Sequence, residues 1–398
     1  MWLRVGVVLL LVFVVAATVN YLRPIPPVVP TALLPPTDVV AGTAPALPWP
    51  STGSGAVAVS GLGPIASSGN EHAIAAASVT KVMTALVLLE DKPLKKGESG
   101  PTITLTDADV QLYRSDVADK QSTVPVEAGE QITELQGLEA MLIPSANNLA
   151  ETLARWDAGS IDAFVAKMNQ RAGKLSMAHT KFADVSGAST ASVSTPTDLV
   201  ALGTAAMEQQ EVIAQVVALG QVNLPVAGTV YNVNAVLGQS GILGIKTGSG
   251  LNSGANFLFA ANVSVDGHTI VVYGCVMGQP TLDVAFTAAK TLIGAMSAVL
   301  HVKRVISRNQ SIATYVTPWG AQTDLVSQVD VDLAEWPGMI LRQHLSANTI
   351  VVDHPLPSST REGAEHLVLG NYDLDVPLIT ADPLYPPGRF WRLTRLSL

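Results

Sequence analysis

The sequence predicts an α+β fold: an antiparallel sheet with flanking helices and an inserted helical subdomain, followed by a small C-terminal β domain. Three observations carry that prediction. Residues 255–265 and 268–277 are apolar, β-rich runs joined by Asp266-Gly267, a strong hairpin signal. Residues 55–66 alternate and contain Gly, as a strand or hairpin near a sheet edge does. Runs with helical spacing lie between these strands, so helices are inserted into a sheet built from both ends of the segment.

Composition bounds the rest. The chain has 398 residues, of which 23 are Lys or Arg and 32 are Asp or Glu, a net charge of −9. At roughly 150 residues per domain this is two or three units. An acidic chain lacks the clustered basic surface that phosphate backbones require, which argues against a nucleic-acid partner. Hydrophobic residues make up 48% and charged residues 14%, too apolar for a disordered chain. Cys275 is the only cysteine, so there is no disulfide scaffold, and its apolar surroundings mark it as a small buried hydrophobe.

From the N-terminus, Val5 to Val19 form an apolar run between Arg4 and Arg23. Its length suits a signal-peptide core, with Ala16 and Ala17 as a weak cleavage site, or just crosses a bilayer as an anchor. Either exports the rest, so the protein is expected outside the cytoplasm, anchored by its N-terminus or secreted to the envelope. Pro24 to Pro50 read as a Pro-rich linker. Residues 51–302 read as the main domain and 303–398 as the β domain.

Within the main domain, residues 78–90 read as a buried helix and 101–130 as irregular chain with short strands. Helical spacing over 133–156 is interrupted at Pro144, and 160–174 form another amphipathic helix. Thr195-Pro196-Thr197-Asp198 is a helix start, with a Thr cap and Pro at the first position. Residues 281–300 read as a long Ala-rich helix. Beyond them, Val305–Ile312, Asp324–Val331, Thr349–Val352 and His366–Leu369 read as short strands. The closing RFWRLTRLSL reads as a last strand in preference to a membrane-surface segment.

Three short motifs carry chemistry. Ser78-Val79-Thr80-Lys81 at a helix start puts a Lys amine beside a Ser hydroxyl, because positions i and i+3 share a helix face. A Ser is a poor nucleophile until a base takes its proton, and a Lys serves only when burial or nearby cations lower its pKa. The plain alternative is a Ser cap with a solvated Lys. Ser145-Ala146-Asn147 follows at a helix break, where the Ser can relay a proton and the Asn amide can meet a carbonyl. Read alone, it is equally a helix cap. Lys246-Thr247-Gly248 precedes the strand at 255, where charge and hydroxyl can bind a carboxylate. Gly248 lets a peptide approach the strand backbone, leaving the Ser249 amide free to meet a carbonyl oxygen together with that of Ser78. Read alone, it is a turn entering a strand. The ordered trio S-x-x-K, S-x-N, K-T-G, each in a fitting context, is far more specific than any one of them.

The stretches AASVTKVMTALVLLE, LIPSANNLAETLARW and GIKTGSGLNSGANFLFAA closely resemble the low-molecular-mass penicillin-binding D-alanyl-D-alanine carboxypeptidases, serine peptidase family S11. PVEAGEQITELQGLEAMLIPSANN and MAHTKFADVSG fit the same likeness, which covers about residues 55–300 and the β domain more loosely. It implies a β-lactamase/transpeptidase-like fold, Ser78 as acylated nucleophile, Lys81 as its base and Ser145 as proton relay. It implies Asn147, Lys246, Thr247, Gly248 and Ser249 as substrate contacts, a peptidoglycan stem peptide ending in D-Ala-D-Ala as substrate and β-lactams as covalent inhibitors. Ala77, Ala146 and Asn148 stand where the family often has Pro, Gly and Asp, and none of these departures removes a reacting group. A serine β-lactamase, a D,D-endopeptidase and a non-catalytic peptidoglycan-binding envelope protein are the other readings. Between Glu151 and Glu208 there is no Glu to serve as a β-lactamase's deacylating base. No cofactor is implied, and the seven His residues show no metal-ligand spacing. His72 reads as a loop histidine.

Overall fold

The computed structural model describes every residue except Met1, Asn70, Leu251, Asn252 and residues 396–398. The chain forms two compact units, residues 45–301 and a unit made of residues 1–44 with 302–398. The second unit begins with helix α1 (Trp2–Leu22) and strands β1 (Thr31–Ala32) and β2 (Thr37–Val39).

The first unit opens with the hairpin β3 (Ser54–Val59) and β4 (Gly63–Ser67), followed by α2 (Thr80–Asp91) and α3 (Asp107–Ala118). Helices α4 (Glu134–Leu142), α5 (Asn147–Ala158), α6 (Ile161–Lys174), α7 (Pro196–Gln209) and α8 (Glu211–Val217) come next. Strands β5 (Ile242–Gly250), β6 (Gly254–Val265) and β7 (His268–Gln279) and helix α9 (Leu282–Ser297) close the unit. The five strands form one antiparallel sheet in the order β5-β6-β7-β3-β4, so the two ends of the segment meet at β7 and β3. Asp266-Gly267 turns β6 into β7 as the sequence predicts.

Strand alternation sends neighbouring side chains to opposite faces. Phe257 of β6 meets Phe286 of α9 edge-on at 5.0 Å. The next residue, Leu258, lies against α7, so tightly that a Cβ added to Gly203 would stand 2.9 Å from it. Both faces of β6 are thereby buried. Helix α2 runs through the core with every residue from Thr80 to Leu89 buried.

The helix starts follow side-chain capping. Thr195 accepts from the Asp198 amide at 3.3 Å, with Pro196 at the first position as expected. Residues 101–130 differ from expectation, because they contain α3. That helix is polar on most of its surface, so hydrophobic spacing does not reveal it. A reciprocal cap starts it, with the Asp109 carboxylate accepting from the Thr106 amide at 2.8 Å.

The second unit continues after α9 with β8 (His301–Ile306), β9 (Ser311–Val316), β10 (Gln322–Ser327), β11 (Val331–Glu335) and β12 (Ile340–Ala347). Strands β13 (Arg361–Leu369) and β14 (Tyr372–Thr380) and helix α10 (Arg389–Thr394) complete it. A turn at 307–310 splits the expected run Val305–Ile312 into β8 and β9, and of Thr349–Val352 only Ile350 pairs, as a bridge to Val28. Seven strands form one sheet in the order β1-β9-β10-β14-β13-β12-β2.

The Pro-rich stretch, expected to be a free linker, therefore supplies both edges of that sheet. Only residues 33–36 separate β1 from β2. Five Cα steps span at most about 18 Å, so the sheet must curl until its edges nearly meet. This also accounts for a correction at the C-terminus. RFWRLTRLSL is not a final strand: both edges are already paired, and residues 389–394 form α10. Residues 396–398 of that run lie outside the described residues.

A chain starting at Ser51 lacks β1 and β2 and leaves the edges of β9 and β12 open. Unpaired edges template association, so such a chain is expected to self-associate in size-exclusion chromatography with light scattering. A monodisperse monomer would contradict the edge assignment.

Candidate active site

The three motifs converge from three elements. Ala77–Val79 form a single 3₁₀ turn that runs directly into α2. Ser78 and Lys81 thus share a face, and the Lys81 Nζ stands 3.0 Å from the Ser78 Oγ. Ala77 enters the turn with a φ of 50°, a left-handed conformation that costs a non-glycine residue about 1–3 kcal/mol and marks functional turns.

Lys81 is fully buried. Its Nζ also donates to the Asn147 Oδ1 at 2.6 Å and to the Ser186 carbonyl at 2.9 Å. Burial pushes its pKa well below the ordinary lysine value, the nearby Lys246 pushes the same way, and Asp184 and Asp116 oppose both. A neutral amine within hydrogen-bond reach of a hydroxyl is a nucleophile–base pair.

Asn147 opens α5, directly after the break at Pro144. Its amide Nδ2 donates to the Gln121 Oε1, which turns its carbonyl oxygen toward Lys81. Ser145 adopts a φ of 70°, and its buried Oγ has no hydrogen-bond partner among the described residues. The structure thus brings Asn147 onto Lys81 but leaves Ser145 one step aside.

Lys246 and Thr247 lie on β5 and are buried. Desolvation lowers the Lys246 pKa to about 7. Gly248 is opposite Asn256 of β6, whose amide donates to the carbonyls of Ala75 and Ala76 at 3.0 and 3.1 Å. This lashes the Ser78 turn to the strand. A Cβ on Gly248 would stand 2.9 Å from the Ala76 carbonyl oxygen and 3.2 Å from the Ser78 amide, so the position requires glycine. Ser249 is exposed where β5 leaves this contact.

A cleft of about 470 Å³ opens over Ser78; the buried Lys81, Ser145, Lys246 and Thr247 are not part of its lining. Ser78, Asn147 and Ser249 line it, with Asp119, Lys120 and Gln121 after α3 and Gly187, Ala188 and Thr190 opposite. Those last three belong to a loop built by Asp184. Its Oδ2 accepts from the Ala188 amide at 2.8 Å and from the Ser186 hydroxyl at 3.0 Å, and its Oδ1 accepts from Ser192. A Cβ on Gly187 would overlap the Ala77 carbonyl oxygen at 1.8 Å, so this loop rests directly on the Ser78 turn. His72 is exposed and does not line this cleft.

Asp184, Gln121 and Asn256 were not singled out from the sequence. A polar residue on a loop carries no periodic signal, and each acts by orienting a neighbour. Among the described residues no group of three His, Cys, Asp or Glu side chains is placed to hold a metal.

Comparison with known proteins gives four relevant likenesses. A family profile described as D-alanyl-D-alanine carboxypeptidase, Peptidase S11, matches residues 61–281. The D-alanyl-D-alanine endopeptidase of Haemophilus influenzae is 33% identical over 136 residues, 34% of this chain and 43% of that one. The D-alanyl-D-alanine carboxypeptidase of Streptomyces sp. strain K15 is 30% identical over 204 residues, 46% of this chain and 67% of that one. The matched stretch thus spans less than half of the first relative and two thirds of the second. The structure of penicillin binding protein 5 from Haemophilus influenzae superposes with a TM-score of 0.62 at 16% identity, over 87% of this chain and 100% of that one, a likeness of fold.

The site makes its own prediction about Lys81. Asp184→Asn removes a negative charge that holds the Lys81 pKa up, so that pKa is expected to fall further. Titration of the Lys81 ¹³Cε resonance by NMR measures it; an unchanged or raised value would contradict the electrostatic assignment.

Proposed function

The chain belongs to the D-alanyl-D-alanine carboxypeptidase family, peptidase family S11, and on that footing we propose that it removes the terminal D-alanine from peptidoglycan stem peptides. The observation that carries this reading is the buried Lys81 amine 3.0 Å from the Ser78 hydroxyl, beside a second buried lysine.

In this reading the Ser78 Oγ attacks the carbonyl of the penultimate D-Ala while neutral Lys81 takes the hydroxyl proton. The oxyanion that forms is held by the backbone amides of Ser78 and Ser249; one such donor is worth roughly 10²–10³ in rate. Lys246, protonated below about pH 7, and Thr247 bind the terminal carboxylate. Asn147 contacts the peptide. The proton on Lys81 passes to the departing amine, with the unpartnered Ser145 hydroxyl as relay. Terminal D-Ala leaves, water attacks the Ser78 ester, and the trimmed peptide and free Ser78 are regenerated. Gln121 is a positioning residue, because it fixes which end of the Asn147 amide faces Lys81.

A β-lactam presents a reactive amide and a carboxylate to the same groups and is expected to acylate Ser78. Between Glu151 and Glu208 no Glu stands on the loops after the S-x-N motif to activate a deacylating water, which favours a long-lived adduct over β-lactamase turnover. The name of the Haemophilus relative keeps a D,D-endopeptidase as the second reading. The buried lysine of K-T-G favours a free C-terminal carboxylate. The substrate places the catalytic unit outside the cytoplasm, with α1 as its membrane attachment.

The full chain is expected to release D-alanine from a synthetic stem peptide ending in D-Ala-D-Ala, and Ser78→Ala to lose that release by at least about 10³-fold. Equal release by both would remove Ser78 from the nucleophile's role, and release by neither would remove the substrate.

A further inference from the structure

The proposed reaction leaves two residues in the wall of the cleft without a role, Asp119 and Lys120. They are consecutive, opposite in charge, and the only charged residues among the described lining. Both are exposed, and neither side chain is hydrogen-bonded or ion-paired among the described residues. The rest of that lining is hydroxyls, amides, glycines and alanines; no apolar side chain larger than alanine faces the cleft.

Backbone bonds fix where these charges stand. The two residues end α3: the Asp119 amide donates to the Ser115 carbonyl at 3.0 Å and the Lys120 amide to the Val117 carbonyl at 3.1 Å. The Gln121 amide then donates to the Asp116 carbonyl at 2.9 Å, and the Gln121 side chain holds Asn147. The charged pair is therefore built into the same turn that orients the amide facing Lys81.

Two features of this helix end work against stability. Asp119 is the C-cap residue, beside carbonyls whose dipole disfavours an anion. Lys120 follows at a φ of 57°, the left-handed position that glycine ordinarily fills. Neither feature is offset by a side-chain partner within the protein. A bound group with both charges engages both residues, its ammonium on the Asp119 carboxylate and its carboxylate on the Lys120 amine. The polar lining suits such a group and gives an apolar side chain nothing to pack against.

The penultimate D-Ala of the substrate brings only a methyl group, so the first side chain able to carry charge belongs to the residue before it. We propose that Asp119 and Lys120 select a stem peptide in which that side chain ends in a free amino acid head, an ammonium and a carboxylate together. They determine specificity and touch no reacting atom. The inference rests on the D-alanine-releasing function proposed above and names the side chain that it leaves open.

The test measures D-alanine release by the full chain from four synthetic peptides, acetyl-Xaa-D-Ala-D-Ala, that differ only in Xaa. The Xaa residues are meso-2,6-diaminopimelate joined through its L centre, lysine, 2-aminopimelate and norleucine. Their side chains end in both charges, the ammonium alone, the carboxylate alone and neither. The expected kcat/KM is about tenfold higher with the two-charge peptide than with norleucine, mostly through KM, because this wall binds substrate and transition state alike. Asp119→Asn is expected to lower kcat/KM for the two ammonium-bearing peptides at least about threefold more than for the other two. Lys120→Gly is expected to do the same to the two carboxylate-bearing peptides; glycine suits a φ of 57°, so the charge is removed without straining the turn. Equal kcat/KM with all four peptides overturns the proposal. So does a loss in either variant that is as large for norleucine as for the charged peptides, which is what a merely structural role gives. In both cases release from the norleucine peptide shows that the reaction itself stands, whereas release from none of the four removes the function and this inference together.

Discussion

Complete burial of the Lys81 amine is the constraint around which the catalytic unit is arranged. Moving an ammonium out of water costs several kcal/mol even after relaxation, so the folded state favours the uncharged amine. Each of its three partners reaches it from a different part of the chain. Ser78 comes from the preceding 3₁₀ turn, Asn147 from the start of α5, and Ser186 from the loop built by Asp184. Because each partner is supplied by a separate element, the position of the amine records the packing of the whole helical subdomain. Lys246 from β5 adds a second cation that disfavours protonation of the first. The same burial lowers its own pKa to about 7, so a charged Lys246 and a neutral Lys81 coexist only over a limited pH range.

The supports of this arrangement are small and mostly backbone. Gly248 and Gly187 bring β5 and the Asp184 loop against the Ser78 turn, at distances no side chain fits. Asn256 ties the chain before that turn to the sheet. The strained φ of Ala77 and Ser145 persists because neighbours on several elements hold these turns in place.

Much of this was legible in the sequence because the motifs pair chemistry with spacing. The i, i+3 relation of Ser78 and Lys81, the break at Pro144 and the hairpin at Asp266-Gly267 each depend on local geometry, and local geometry is what a sequence encodes most directly. Helix α3 and the supporting residues Gln121, Asp184 and Asn256 were not legible. Gln121 and Asn256 act through partners far along the chain, Asn147 and Ala75, Asp184 acts through loop neighbours such as Ser192 that carry no periodic signal, and α3 lacks hydrophobic spacing. The Pro-rich stretch shows the same limit. Its composition does forbid a helix and favours extended chain, but extended chain is also what a sheet edge accepts, and only the tertiary structure sets which occurs. The C-terminal Arg-aromatic run forms α10 in place of a last strand, because the sheet edges a strand would need are already occupied by β1 and β2.

The neutral state of Lys81 is most directly tested by the pH dependence of D-alanine release at subsaturating substrate. A base whose pKa lies well below that of ordinary lysine predicts a rate that falls on the acid side as Lys81 gains its proton. It also predicts a decline above about pH 7 as Lys246 loses the charge that binds the carboxylate. A rate that climbs without a break toward pH 10, following the titration of an ordinary lysine, would contradict the account.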